Sequence, residues 1–225
     1  MTESPIQASQ NPAEQSEGTE EAAAEPRSES RRRPRRGATF GVALLTALAL
    51  TALGYPLAWW WQAVTPRVEI VSRGEGGWAT AERYPDQFVA ADLTFALTGA
   101  VAGLLAAVIV WHRLRRYRGV LMLFGLAAGC LGNQIVSWHW GVTQFNSFWE
   151  AVRAAPAGWH LWRPPTVKLA EIDGPGAWDA LSSGRYTEVF SHLELGVVAV
   201  MAFVAVFVYT GMSGWSRYAG LRPAD

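Results

Sequence analysis

Apolar residues gather along the chain in four long stretches, 38–61, 90–111, 120–138 and 190–212, set apart by polar segments. A helix that crosses a bilayer needs about 20 predominantly apolar residues, and each stretch reaches or approaches that length. The pattern predicts an all-α membrane protein with four transmembrane helices. Residues 1–30 are rich in Glu, Ser, Gln, Pro and Ala and hold almost nothing large and apolar. Such a segment cannot bury enough surface to offset its ordering entropy, so it reads as a disordered tail. The expected organisation is a tail with a basic juxtamembrane block (1–37), a first outer loop (62–89), a short basic inner loop (112–119), a second, Trp-rich outer loop (139–189) and a short C-terminal tail (213–225).

The two outer loops carry weaker signals. Strand-like stretches fall at 67–72 and 166–172, and 175–183 suggests a short helix. Ser147 followed by Glu150 has the spacing of a capping box, which predicts a new helix through Phe148, Trp149 and Val152 that stops before Pro156. Together these elements would form a small extracytoplasmic cap.

Basic residues set the orientation. Arg31, Arg32, Arg33, Arg35 and Arg36 abut the first apolar stretch, and Arg113, Arg115, Arg116 and Arg118 occupy the loop between the second and third without any acid. The positive-inside rule puts both termini and that loop in the cytoplasm, with these arginines against lipid headgroups. Trp59, Trp60, Trp61, Trp138 and Trp140 then fall at outer ends of spans, and Trp111 and Trp215 at inner ends, as an aromatic belt requires. The basic block and first apolar stretch imitate the start of a signal peptide, but Tyr55, Pro56 and three consecutive Trp stand where a small-residue cleavage site would follow.

Composition then changes meaning. The formal net charge is zero, the charged fraction is 17%, and there are 12 Trp. The zero is a sum of segments sorted by side of the membrane, not the balance of a soluble domain. It also argues against a nucleic-acid partner. A single cysteine, Cys130, excludes an internal disulfide framework and a Cys-based zinc site.

Ionisable residues in or beside spans are the first place to look for chemistry. Asp92, His139 and Glu194 all count to the outer membrane boundary. Asp92, Gly99 and Gly103 share one face of the second span, and Gly125, Gly129, Gly132 and His139 one face of the third. Small residues four apart let helix backbones approach closely. If the inner loop turns between Arg115 and Arg116, Gly99 lies level with Gly132 and Asp92 with His139. The expectation is a glycine seam between spans two and three, topped by an Asp92–His139 pair that Glu194 could join. The plainer alternative gives Asp92 to the helix dipole and His139 to the interface. His192 and Glu194, two apart, make a poor metal motif, and His160 has no spacing partner. Asn133 and Gln134 read as interhelical hydrogen-bonding groups, with a wet cavity as the alternative, and Cys130 as a packed thiol. Gly74, Gly76 and Gly77 make a turn and not a phosphate cradle. No nucleophile elbow, kinase set, metalloprotease helix or dinucleotide fingerprint is present, so no catalytic residue, metal or cofactor is expected.

The segment Gln87-Phe88-Val89-Ala90-Ala91-Asp92-Leu93-Thr94-Phe95-Ala96-Leu97, the Arg115-Arg116-Tyr117-Arg118-Gly119 turn and the glycine-rich third span resemble a family of small four-span membrane proteins from actinobacteria, a domain of unknown function. The resemblance covers 40–212. It implies an integral membrane location and the same topology, and brings no activity, substrate or catalytic residue with it.

The expectation is a non-enzymatic component of the bacterial cytoplasmic membrane, embedded in the lipid bilayer, that acts as an accessory or interaction protein of the envelope with a membrane-protein partner or as a homo-oligomer. Two alternatives follow from other features. A homo-oligomeric transporter of small solutes or ions would line a subunit contact with Asp92, Asn133 and Gln134. An outer-leaflet enzyme would need Asp92, His139 and Glu194 to converge around a pocket.

Overall fold

The computed structural model describes residues 36–81 and 86–215. The tail expected to be disordered, the arginines at 31, 32, 33 and 35, and the last ten residues lie outside the described residues. In chain order come α1 (Arg36–Ala52), α2 (Gly54–Val64), β1 (Val68–Gly74), β2 (Gly77–Thr80), α3 (Gln87–Arg113), α4 (Val120–Ala154), β3 (His160–Arg163), β4 (Glu171–Ile172), α5 (Gly174–Ser182), α6 (Tyr186–Val189), β5 (Leu193–Glu194) and α7 (Val200–Trp215). Among the described residues, four helices are long and apolar enough to cross a membrane: Gly37–Val64, Gln87–Arg113, Val120–Ala154 and Gly196–Trp215. The chain is a multi-pass, all-α membrane protein with a small cap.

The first span is one helix with a break. Pro56 has no N–H for the carbonyl of Ala52, so the ladder loosens there, and Leu53 marks the step from α1 to α2. The fourth starts as a 3-10 turn at Gly196–Ala199 before α7, so the expected stretch from 190 enters the helix late. The third, α4, runs 35 residues without interruption. At 1.5 Å per residue that is about 52 Å, well beyond the roughly 30 Å hydrocarbon core, so its C-terminal third stands clear of the spans. No helix begins at Ser147. Its hydroxyl donates to the Thr143 carbonyl one turn back inside α4, although the helix does end before Pro156. The capping-box spacing was present, but nothing in 139–146 breaks the helix for it to restart.

Glycines set the packing, with partners other than those expected. A Cβ on Gly125 would come within 2.7 Å of the Ala43 carbonyl oxygen, one on Gly129 within 2.8 Å of Ala47 Cα, and one on Gly132 would collide with Thr51. The three therefore seat α1 against α4, and the rising numbers on both sides make the pair parallel. Gly103 packs on the Met201 backbone of α7, and Gly99 against the Gln134 side chain. The seam expected between Gly99 and Gly132 does not form. The two glycine faces belong to different helix pairs, α3 with α7 and α4 with α1, and α3 meets α4 on the Gln134 face instead.

Hydrogen bonds from α4 secure the broken first span. Asn133 Nδ2 donates to the Leu50 carbonyl (2.8 Å) and Ser137 Oγ to the Gly54 carbonyl (2.9 Å). At the turn between α3 and α4, Arg118 folds back over Trp111, donating Nη2 to its carbonyl at 2.9 Å and stacking 3.9 Å from its ring. A basic side chain thus satisfies a carbonyl at the C-terminal, negative end of α3. Cys130 is fully buried in the same core as Met122, Leu126 and Tyr209.

The cap is a three-stranded antiparallel sheet, order β2-β1-β3, beside a short β4–β5 ladder. In β1, Val68, Ile70 and Ser72 are buried and alternate with less buried neighbours, the period-two pattern of a half-buried strand. Val68 and Ile70 pack on Val152 together with Phe148 and Trp149, so the protruding end of α4 is the floor of the cap. The turn from β1 to β2 takes positive φ at Gly74 (83°), Glu75 (51°) and Gly76 (79°), which two glycines make easy.

Candidate functional site

The three ionisable residues placed at the outer boundary by counting are not brought together. Asp92, in the second turn of α3, is buried and accepts a hydrogen bond at 2.8 Å from the backbone N–H of Lys168. It pins the loop that follows β3 down onto the mouth of the bundle. His139 is exposed on α4, its ring beside Trp138 at 6.5 Å between centroids. Glu194 is exposed on β5, in register with Glu171 of β4. No hydrogen bond or ion pair among the described residues joins any two of the three. The expected Asp92–His139 pair fails because α3 meets α4 along Gln134, which leaves His139 turned away from Asp92. Nor do the described residues hold any cluster of three His, Cys, Asp or Glu side chains that could bind a metal.

Each remaining histidine of the cap has a carboxylate. His160 Nδ1 lies 2.5 Å from Glu69 Oε1, across the β1–β3 ladder. His192 Nδ1 lies 3.1 Å from Asp173 Oδ2. Asp173 is the N-cap of α5, with its other oxygen accepting from Gly176 N–H at 3.0 Å. That backbone bond, with a smaller contribution from His192, holds the Asp173 carboxyl below its ordinary value. Both pairs are exposed and face water, so they fix loops and strands without forming a pocket.

The most unusual electrostatic feature is Arg163, at the end of β3. It is buried; its guanidinium sits 4.7 Å from the ring centres of both Phe88 and Phe145, and Nη2 donates to Thr166 at 2.8 Å. Among the described residues it has no carboxylate partner within ion-pair distance, and Nε is buried with no acceptor. Burial alone lowers its pKa from the usual guanidinium value. Lys168 places Nζ 3.8 Å from the same Phe88 ring. Phe88, on the first turn of α3, thus carries two cations at the N-terminal end of that helix. Nothing in the spacing of Arg163, Thr166 and Lys168 marks this cluster, because it depends on which loop folds over α3.

Inside the bundle, Asn133 and Gln134 are both buried. Gln134 Nε2 lies 3.7 Å from Met201 Sδ, and neither residue's side-chain oxygen has a partner. Asn133 also lines an apolar groove between the broken first span and α3. The outward faces of the spans are apolar, with Leu48, Leu97, Leu104, Ile109 and Phe207 exposed. The cap differs: Trp159, Trp162, Trp178, Tyr186 and Phe190 each have more than half of their area open.

Compared with known proteins, the chain matches no family model, no curated protein and no solved structure.

Proposed function

We propose that this protein is a non-enzymatic accessory component of the bacterial cytoplasmic membrane, both termini inside, that holds a membrane-protein partner on its outward cap. One observation carries the reading: five large aromatic side chains stand open on the cap while the cap keeps a formed core of its own. They are interleaved with charged groups. Trp162 lies opposite Glu69 in the sheet, beside the Glu69–His160 pair, and Trp178 adjoins Asp179, which pairs with Arg185 at 2.7 Å. Exposed Trp and Tyr with charges around them match the aromatic core and polar rim of a protein-binding surface, whereas a surface that faces lipid hydrocarbon is uniformly apolar.

The two other readings lose support from the same geometry. A transport path between subunits needs polar side chains on an outward helix face, but Asp92, Asn133 and Gln134 are all buried within the chain. An outer-leaflet enzyme needs Asp92, His139 and Glu194 within hydrogen-bond reach of one another, and they are apart.

Site-specific photocrosslinking in native membranes tests the partner. A benzophenone side chain at Trp162 or Trp178 is expected to give one discrete adduct with the same protein, and at Leu104 none. Adducts from Leu104 alone, or none from either cap position, would overturn the reading. Orientation can be tested on the same protein, because the single cysteine is buried in the bundle. An impermeant maleimide should label Ser183→Cys in intact cells and His112→Cys only after permeabilisation.

A further inference from the structure

Two hydrogen bonds fix which way the main-chain groups of the cap sheet point. Ser72 N–H donates to the Trp159 carbonyl at 2.9 Å, and Ala81 N–H to the Glu69 carbonyl at 3.1 Å. In an antiparallel ladder such bonds join every second residue pair. Val68, Ile70 and Ser72 therefore bond toward β3, and Glu69 and Val71 toward β2. On β3 the register assigns the bonds with β1 to Leu161 and Arg163. The N–H and C=O of His160 and Trp162 point the other way, along the free edge of the sheet, and have no hydrogen-bond partner among the described residues.

This edge lacks the devices that usually blunt one. It holds no Lys and no Pro over 160–163, and its pairing with β1 runs without a bulge. The opposite edge, on β2, does have one, because the β1–β2 register shifts between Ser72 and Gly74. His160 and Trp162 are exposed, whereas Leu161 packs inward on the cap core and Arg163 is buried. Charge then selects what can pair there. Among the described residues, the Arg163 guanidinium has two aromatic rings and the Thr166 hydroxyl beside it, and no carboxylate. An antiparallel strand added at this edge would face Arg163 in a non-hydrogen-bonded pair, the closer kind, with Cα atoms about 4.5 Å apart. An acidic side chain at that position provides the missing countercharge, and a basic one repels.

We propose that the partner docks by adding an antiparallel strand to β3, through an extended segment that bonds to the main chain of His160 and Trp162 and sets an acidic side chain opposite Arg163. The proposal rests on the reading of the cap as a partner-binding surface, to which Trp162 belongs, and names how that surface is engaged.

The test uses the full chain in native membranes with a benzophenone side chain at Trp178, which lies on α5 and leaves β3 untouched. His160→Pro and His160→Ala both remove the side chain that meets Glu69, but only proline removes the outward N–H. Proline is tolerated on an edge strand when its missing N–H faces away from the sheet, so the cap should stay folded. The adduct yield is expected to fall about tenfold with proline relative to alanine, the effect of one lost hydrogen bond whose acceptor is left unmet. In the purified adduct of the chain with no change in β3, hydrogen exchange at the His160 and Trp162 amides should slow about tenfold against the free chain. That measurement needs no substitution in β3 and stands even where proline unfolds the cap. A benzophenone at Trp162 maps the docked segment, which is expected to hold an Asp or Glu within about two residues of the linked position. Equal yields with proline and alanine in folded chains, unchanged exchange at His160 and Trp162, a mapped segment without an acid, or an adduct made of two copies of this chain would each overturn the proposal and leave the partner reading standing. No adduct at Trp178 or Trp162 would overturn the partner reading itself, and strand addition with it.

Discussion

The spans and the cap solve the same packing problem with opposite materials. In the bundle, contacts run through missing side chains: Gly103 on the Met201 backbone, Gly125 on Ala43, Gly129 on Ala47. In the cap they run through large ones: Trp149 sits against Trp78 at 5.1 Å between centroids, Phe145 at 5.6 Å and Phe148 at 5.5 Å. The solvent explains the contrast. Lipid gives apolar side chains no reason to leave it, so helices associate through close backbone approach and hydrogen bonds such as Asn133 to Leu50. Water does expel aromatic surface, and a cap of few residues gains most per residue from Trp and Phe. Stability should therefore be sensitive to added volume below and to lost volume above.

The largest expected effect tests the lower half of that statement. Gly103→Ala places a methyl group on the Met201 backbone, which no rotamer change can relieve. It should destabilise the bundle by about 1–3 kcal/mol, the usual cost of overpacking. Gly211→Ala, on α7 with open space around it, should not destabilise at all and gains up to about 1 kcal/mol of helix propensity. Thermal unfolding of the two variants in the same detergent compares them directly. If Gly103→Ala melts no earlier than Gly211→Ala, close approach is not what holds α3 to α7.

The same contrast explains what the sequence revealed. The four spans were legible because the length of an apolar run is a local property, and β1 was legible because its alternation is local too. The turn between α3 and α4 was placed well enough that Gly99 meets Gln134, two residues from the expected Gly132. Which helix covers a glycine face was not legible. A period of 3.6 says that Gly125, Gly129 and Gly132 share a face, and says nothing of whether α1 or α3 lies on it. Asp92 was singled out from its position, and it is buried, but its partner is a main-chain N–H 76 residues away, which no side-chain pattern announces. The Glu69–His160 and Asp173–His192 pairs depend on strand register and loop closure, so the histidines looked isolated.

The upper half of the comparison is tested at Arg163, with an intermediate expected effect. Arg163→Ala removes the cation lodged between Phe88 and Phe145 and its packing stem, and should loosen the cap by about 2 kcal/mol. Arg163→Met keeps most of the volume and removes an unpaired buried charge, so it should cost less than alanine. Hydrogen exchange at Ile70 and Leu161, facing residues of the β1–β3 ladder, reads the effect, while exchange in α7 should stay as it was. Equal losses in cap and bundle would mean that the two regions are not separable.

The smallest effect is a pH response that belongs to the cap alone. The Asp173 carboxyl is depressed first by the Gly176 N–H bond and secondarily by His192, and it faces water throughout. A carboxyl depressed in the folded state contributes stability that is fully present above its unfolded value, ordinarily 3.8, and is lost as pH falls through the lower folded value. The N-terminus of α5 should accordingly hold its protection at neutral pH and begin to fray only below about that point, with the Gly176 amide as the reporter. Asp173→Asn keeps a capping oxygen without a titration, so its Gly176 protection should be flat across this window. His192→Gln should move the onset upward, by less than loss of the Gly176 bond would, because the backbone bond is the larger cause. A response of equal size in the exchange of α3 or α4 would place the titrating group in the spans and break the division between the two regions.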